Sequence, residues 1–544
     1  MNEEFFSIEG QIVDIDNKRT YPGKITVKDG HIQAIEPIDS APNRFIMPGF
    51  VDGHIHIESS LLVPSEFARL AVPFGTVATI SDPHEIGNVL GIDGVKYMLD
   101  DGEKVNFKFY FGAPSCVPAT PFETAGAEID IEDVKLLLAD DRIKYLAEMM
   151  NWPGVLNEDP VVMAKIKAAK EAGKPVDGHA PGLKGDMARQ YIEKGMSTDH
   201  ECFTKEEALD KLNHGMFVQI REGSAARNFE ALYELLEDHP MQLMLCSDDK
   251  HPDSLIEGHI DVLVRRAVAK GIDVYNVLRT ACINPVLHYN LEVGLLKEGD
   301  PADFIVVNNL KDIKVEKTYI NGELVAENGK SFIAQVPSAV VNQFSTNLKS
   351  ASDFKVEAET DKINVIEAFD GELVTKRITA STKSENGYAE SDPEQDILKL
   401  AVVNRYSDAP AAVAFIKNIG LKEGAIASSV GHDSHNITVV GVDDESIARA
   451  VNLIIENKGG LSAVGKGEEL ILPLPVAGLM SNKDGYEIAQ EYIKIDQLSK
   501  SMGSTLRAPF MTLSFMALLV IPSIKLSDKG LFDGDKFEFM DVFA

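Results

Sequence analysis

An α/β architecture is predicted by three features of this 544-residue sequence: a (β/α)8 TIM-type barrel, a split small β-sandwich-like domain and an additional C-terminal α+β domain. Between residues 49 and 290, apolar β-type runs alternate with helical patterns eight times, and each return to a parallel strand needs a crossover. Eight such units in about 240 residues match the size and count of a closed barrel. Related β patterning stands on both sides of that segment, and a third region beyond a polar stretch near 330–355 again mixes strands with helices.

The first 48 residues read as short strands, GQIVDI and GKITVKDGHIQAIEP, with a hairpin turn at Asp29-Gly30. Barrel strands are expected at 50–57, 76–82, 106–112, 143–149, 175–180, 196–201, 216–221 and 242–248. The helical patterns between them, such as VVMAKIKAAKEAG, GDMARQYIEKG and TKEEALDKLNHG, each end in a Gly suited to a helix C-terminus. The β unit resumes over 294–328 with a second hairpin signal at Asn321-Gly322. Expected domains are therefore 1–48 with 291–335, then 49–290, then 350–544. In the last of these, KINVIEAF, ELVTKRITA, GAIASSV and NITVVGVD read as strands, and ESIARAVNLIIENKGG and YEIAQEYIKIDQLSKSMG as helices. The most apolar run, 511–522, has 12 residues, too few to cross about 30 Å of hydrocarbon as a helix, and is read as buried core.

With 53 basic and 85 acidic residues the net charge is 53 − 85 = −32, and no basic patch stands out. Such a chain repels phosphate backbones, so neither nucleic acid nor an anionic membrane is expected as a partner. The four cysteines have no CxxC spacing, and the first residues lack the basic and apolar regions of a signal peptide. A reduced, cytoplasmic enzyme acting on a small molecule is expected.

Polar residues at the ends of apolar strands carry the chemistry. His54 and His56 close strand 1, with the two-residue spacing that puts both on one face. Glu148 ends strand 4, His179 strand 5, His200 strand 6 and Asp248 strand 8. The spacing keeps barrel register: 92 residues from His56 to Glu148, then 31, 21 and 48. All six therefore belong to the C-terminal rim, where barrel enzymes place their active sites. Four imidazoles and two carboxylates suit Zn, Fe or Mn, and six ligands exceed the needs of one catalytic ion, which points to a pair bridged by Glu148. His84, in SDPHEIGN after strand 2, reads either as a site residue or as a loop histidine, and Asp248 either as a site residue or as a helix cap.

The segment MPGFVDGHIHIESS resembles the opening of the metal-dependent amidohydrolase superfamily, and TACINPVLHYNL with GLLKEGDPADFIVV resembles its closing helix and return to the split β domain. HIHIESSLLVPSEFARLAVPFGT, ISDPHEIGNVLG, LAEMMNWPGV, GHAPGLKG and TDHE, followed by NRY, GHDSHNI, MGSTLRAPFMTLSFMAL and LSDKGLFD, resemble the bacterial adenine deaminases over nearly the whole chain. Where many superfamily members carry a carboxylated Lys on strand 4, this sequence has Glu148, as those deaminases do. The resemblance implies hydrolysis of adenine to hypoxanthine and ammonia in purine salvage, with a metal-bound hydroxide attacking purine C6. It implies Mn or Fe, with Zn permitted by the donor types, and a homo-oligomer, a dimer. It also suggests Asp248 as the base, Glu148 as bridging ligand and aid to proton transfer at N1, His84 as stabiliser of the adduct, and Glu85, His432 and His435 as substrate-binding residues. An amidohydrolase cleaving an amide, such as an N-acetyl sugar, is the alternative enzyme, since that class also uses a Glu in its metal site.

Overall fold

The computed structural model describes residues 5–544. Its centre is an eight-stranded parallel sheet with the strands in chain order: strand 1 (Phe50–Ile55), strand 2 (Thr76–Ser81), strand 3 (Lys108–Ala113), strand 4 (Ile143–Met149), strand 5 (Val176–Gly178), strand 6 (Met196–Asp199), strand 7 (Phe217–Arg221) and strand 8 (Leu243–Cys246). Strands 1, 2 and 8 are buried at every position, as parallel strands covered by crossover helices require. Asp159 and Thr204 cap the helices Pro160–Glu171 and Lys205–Asn213 by accepting from amides of the first turn. Gly173, Gly195 and Gly215, past the ends of three crossover helices, have φ of 69°, 118° and 88°, the region that lets a chain leave a helix without a Cβ penalty.

Strand 1 stops at Ile55, short of the expected 57, because Ile57–Ser60 winds into a 3-10 turn. The sheet is closed between strands 8 and 1 by the main chain of Asp248. Its N–H donates to His54 O at 2.9 Å and its carbonyl accepts from His56 N at 3.4 Å. A Cβ on Gly53 would lie 3.0 Å from Leu245 O and 3.2 Å from Met244 Cβ, so a bare glycine lets these two strands meet.

A second eight-stranded sheet takes its strands from 5–48 and 304–331, and Phe304–Val307 pairs antiparallel with Phe45–Pro48 just before the chain enters strand 1. Asp29 and Gly30 have φ of 50° and 79°, and Asn321 and Gly322 of 49° and 78°, the paired left-handed conformations of a tight hairpin turn.

The C-terminal region is built on a third eight-stranded sheet, with one face covered by the helix Asp444–Asn457 through Ile447, Val451 and Ile454. Four of its strands (Ile397–Val403, Ala412–Lys417, Gly460–Gly465 and Glu468–Pro473) escape the sequence reading. Ile397–Val403, buried at all its positions, shows no alternation to betray a strand. The apolar run 511–522 is buried as expected, as the end of a short helix and a 3-10 turn. The C-terminal unit sits on the barrel through one continuous apolar core and through Arg69, which reaches Asp484 at 2.9 Å. The turn between the strands Ala425–Ser428 and Ile437–Gly441 holds His432 and His435 and points to the barrel rim, where Asn436 Nδ2 donates to Thr124 O at 2.9 Å. Among the described residues no helix is long and apolar enough to cross a membrane.

Candidate metal centre and active site

The six strand-end residues meet. His56 Nε2 lies 3.3 Å from His54 Nε2, 3.4 Å from Asp248 Oδ1 and 3.4 Å from Glu148 Oε1. On the other side of the same carboxylate, Glu148 Oε2 is 2.7 Å from His179 Nδ1 and 3.2 Å from His200 Nε2. Glu148 therefore turns one oxygen to each of two imidazole groups. All six residues are buried, and Asp248 has φ of 54°. That left-handed backbone is costly for a residue with a Cβ. Asp248 caps no helix; the next helix, Pro252–Leu255, starts after His251.

His84 belongs to the rim. Its Nδ1 is 3.1 Å from Asp82 Oδ2 and 3.5 Å from Glu148 Oε1, and its Nε2 is 3.4 Å from Glu85 Oε1 and 3.8 Å from Asp433 Oδ1. Glu85 is gripped from the C-terminal turn: His432 Nδ1 meets Oε1 and His435 Nε2 meets Oε2, each at 2.5 Å. His432 also stacks on Phe515 with ring centroids 4.5 Å apart.

Three residues absent from the sequence reading complete the site. Arg221, fully buried at the end of strand 7, forks onto Glu201 at 2.5 and 2.8 Å and reaches Asp248 Oδ2 at 2.5 Å. Glu201 Oε1 in turn lies 3.5 Å from His200 and 3.6 Å from His179. Asp82 follows strand 2. The signal for Arg221 and Asp82 was the one that located the others, a charged residue closing an apolar strand, and Glu201 sits beside His200 in TDHE. A further network ties the seam from behind: Asp52 accepts from the amides of His54 at 3.2 Å and Ser247 at 3.0 Å, and pairs with His259 Nε2 at 2.8 Å.

Burial works against every charge here, so partners decide the protonation states. Burial raises the Asp248 carboxyl, but the Arg221 guanidinium and the facing imidazoles outweigh it and hold the group well below the usual carboxylate range. Glu148, opposed by burial, is likewise held well below by His179 and His200. His54 is pushed well below the ordinary imidazole value by burial and then by His200 and His56, whereas His56, His179 and His200, opposed by burial, are raised by their carboxylate partners. Burial opposes the charge on His84, yet Asp82 and Glu85 carry it well above the ordinary value. His432, also opposed by burial, is raised to about 9 by Glu85.

A divalent cation fits these residues. The ring nitrogens His54 Nε2, His56 Nε2, His179 Nδ1 and His200 Nε2 face one another and the oxygens of Glu148 and Asp248 across 2.7 to 3.7 Å. His179 and His200 also converge on a single oxygen of Glu148. Overlapping groups of three or four donor atoms lie within 4.8 Å of one another, among them His54, His56 and Asp248, and His54, Glu148 and His200. The donors are imidazole and carboxylate with no thiolate, since all four cysteines are buried elsewhere as free thiols.

The amidohydrolase family matches residues 45–325, which include every rim residue of the barrel, and the adenine deaminase C-terminal domain matches 372–538. An adenine deaminase of Sulfurovum sp. is 56% identical over 98% of this chain and 99% of its own length, and one of Salinibacter ruber is 54% identical over 99% of both. One from Borreliella burgdorferi is 48% identical over 99% of this chain and 100% of its own. With the likeness running through both the barrel and the C-terminal unit, the chain belongs to the adenine deaminase family of amidohydrolases.

Proposed function

We propose that this chain hydrolyses adenine to hypoxanthine and ammonia at the barrel rim, in purine salvage, with His54, His56, Glu148, His179, His200 and Asp248 as the ligands of two divalent cations, Mn or Fe, and Zn as a donor-compatible substitute. The observation that supports this most directly is the division of Glu148, with one oxygen toward His56 and the other toward His179 and His200. Cations bound there supply a nucleophile at neutral pH by acidifying water, and they offset the charge of the clustered carboxylates.

The residues do the rest. Asp248 is held as a carboxylate with Oδ2 committed to Arg221 and Oδ1 turned to His54 and His56. Oδ1 takes one proton from the attacking water and returns it to the departing amine, so that water oxygen joins C6 while the C6–N bond breaks and ammonia leaves, and the second water proton ends on N1 as the N1–H of hypoxanthine. Glu148, with one oxygen toward His56 and the other toward His179 and His200, is assigned the bridging role and relays the proton that ends on N1. His84, kept cationic between Asp82 and Glu85, stabilises negative charge developing on the adduct. Glu85, His432 and His435 act on the substrate side, closing the rim from the C-terminal unit. The test is ammonia release from adenine, adenosine and cytosine by protein stripped of metal and reloaded with Mn, Fe or Zn. Release from adenine alone is expected; activity on the nucleoside but not the base overturns the assignment.

A further inference from the structure

The space between the rim residues is about 20 Å³, room for the centre of about one water, so it does not admit a bicyclic base without movement. Beside it, between the barrel loops and the C-terminal unit, lies a cavity of about 740 Å³, in the range of small-molecule sites. Aromatic side chains line it, namely Phe122, Trp152, Phe203 and Phe537, and Asp535 is its only ionisable lining residue.

The two spaces share a wall. Met150 lines both. Leu373 faces the rim and Val374 the larger cavity, and Leu518 faces the rim while Val520, Ile521 and Pro522 face the cavity. The C-terminal side of the wall is cross-linked. Lys525 Nζ donates to Leu373 O at 2.6 Å and Phe515 O at 3.1 Å, Thr375 N to Pro522 O at 3.0 Å, and Thr375 Oγ1 to Ile524 O at 2.8 Å. The barrel side presents the unbranched Met150 side chain, whose flexible thioether yields more readily than a branched neighbour.

Resting on the deaminase reading, we propose that the 740 Å³ cavity is an antechamber that binds the neutral purine base flat against Trp152, and that base and product pass to and from the rim by displacement of Met150. Aromatic walls suit a planar heterocycle, and the absence of Lys and Arg from the lining leaves nothing to hold a phosphate, which selects the base over a nucleotide.

Trp152 is the only tryptophan in the chain, so intrinsic fluorescence reports on this cavity. Titration of the metal-loaded enzyme with hypoxanthine is expected to quench it saturably, and the quenching to persist in Asp248→Asn, because the antechamber lies outside the rim. Val520→Phe, which enlarges a wall residue of the antechamber, is expected to lower kcat/KM for adenine about tenfold with kcat changed less than twofold, and to shift the quenching midpoint to higher hypoxanthine concentration. Absence of saturable quenching, its loss in a folded Asp248→Asn protein, or an unchanged kcat/KM in a folded Val520→Phe protein overturns the proposal. A wild-type protein that binds hypoxanthine at Trp152 but releases no ammonia from adenine sinks the deaminase reading and leaves the antechamber standing.

Discussion

The imidazoles of the barrel and those of the C-terminal turn are used in opposite ways. On the barrel rim two rings share one oxygen of a carboxylate: His179 and His200 converge on Glu148 Oε2, and His54 and His56 on Asp248 Oδ1. In the turn, His432 and His435 each take a separate oxygen of Glu85, at 2.5 Å. Both arrangements leave buried ring nitrogens without a hydrogen-bond partner among the described residues, His54 Nδ1, His179 Nε2 and His200 Nδ1 at the rim and His432 Nε2 in the turn. What separates them is that the two rings of the turn hold opposite oxygens of one carboxylate and so brace the two units. The same type of side chain thus stands in a cluster of metal-type donors at the rim and braces two units in the turn.

The comparison breaks first at the rim. Glu148→Gln and Asp248→Asn are expected to lower kcat for adenine by about 10³-fold or more, and chelation to abolish activity until Mn or Fe is restored, all measured by ammonia release. A Glu148→Gln protein with activity within tenfold of wild type would sink the bridging role. Next in size is Arg221→Met, which releases both Asp248 and Glu201. A loss of about 10- to 100-fold in activity or metal content is expected, read by kinetics and metal analysis of the same preparation. His432→Ala and His435→Ala are expected to cost about tenfold in kcat/KM with bound metal unchanged. Equal metal loss in these variants and in His200→Ala would erase the distinction between strut and ligand, and unchanged kcat/KM in both folded variants would remove the turn from the substrate side.

The smallest effect concerns a buried cation with no counter-charge. Burial alone lowers Lys525 to about 7. The unfolded chain then holds a proton that the folded chain sheds between about pH 7 and its ordinary value near 10.4, so stability from this group rises with pH through that window. The penalty is fully present below about pH 7. Comparing thermal unfolding of wild type and Lys525→Met at pH 6.5 and 9, the wild type is expected to gain on the variant by up to about 3 kcal/mol, a shift of a few degrees. A gap that does not move with pH refutes the neutral-lysine account.

The clustered rim residues were legible because a polar side chain ending an otherwise apolar strand is conspicuous, and strand spacing kept His54, His56, Glu148, His179, His200 and Asp248 in register. Arg221 obeys the same rule but belongs to no donor set, so a search for metal ligands passes over it. The grip of His432 on Glu85 spans 347 positions, and no local pattern encodes a contact of that reach. In the C-terminal sheet, Ile397–Val403 is buried on both faces and lacks the period that marks a strand, whereas the capped helix Asp444–Asn457 shows plainly.

The cylinder is fastened at its last joint by the backbone of Asp248, hydrogen-bonded to His54 and His56. Whatever steadies those three side chains also steadies the joint. Loading the centre should therefore slow solvent exchange of the Asp248 amide proton more than that of amides on strand 3, making one peptide group a gauge of occupancy.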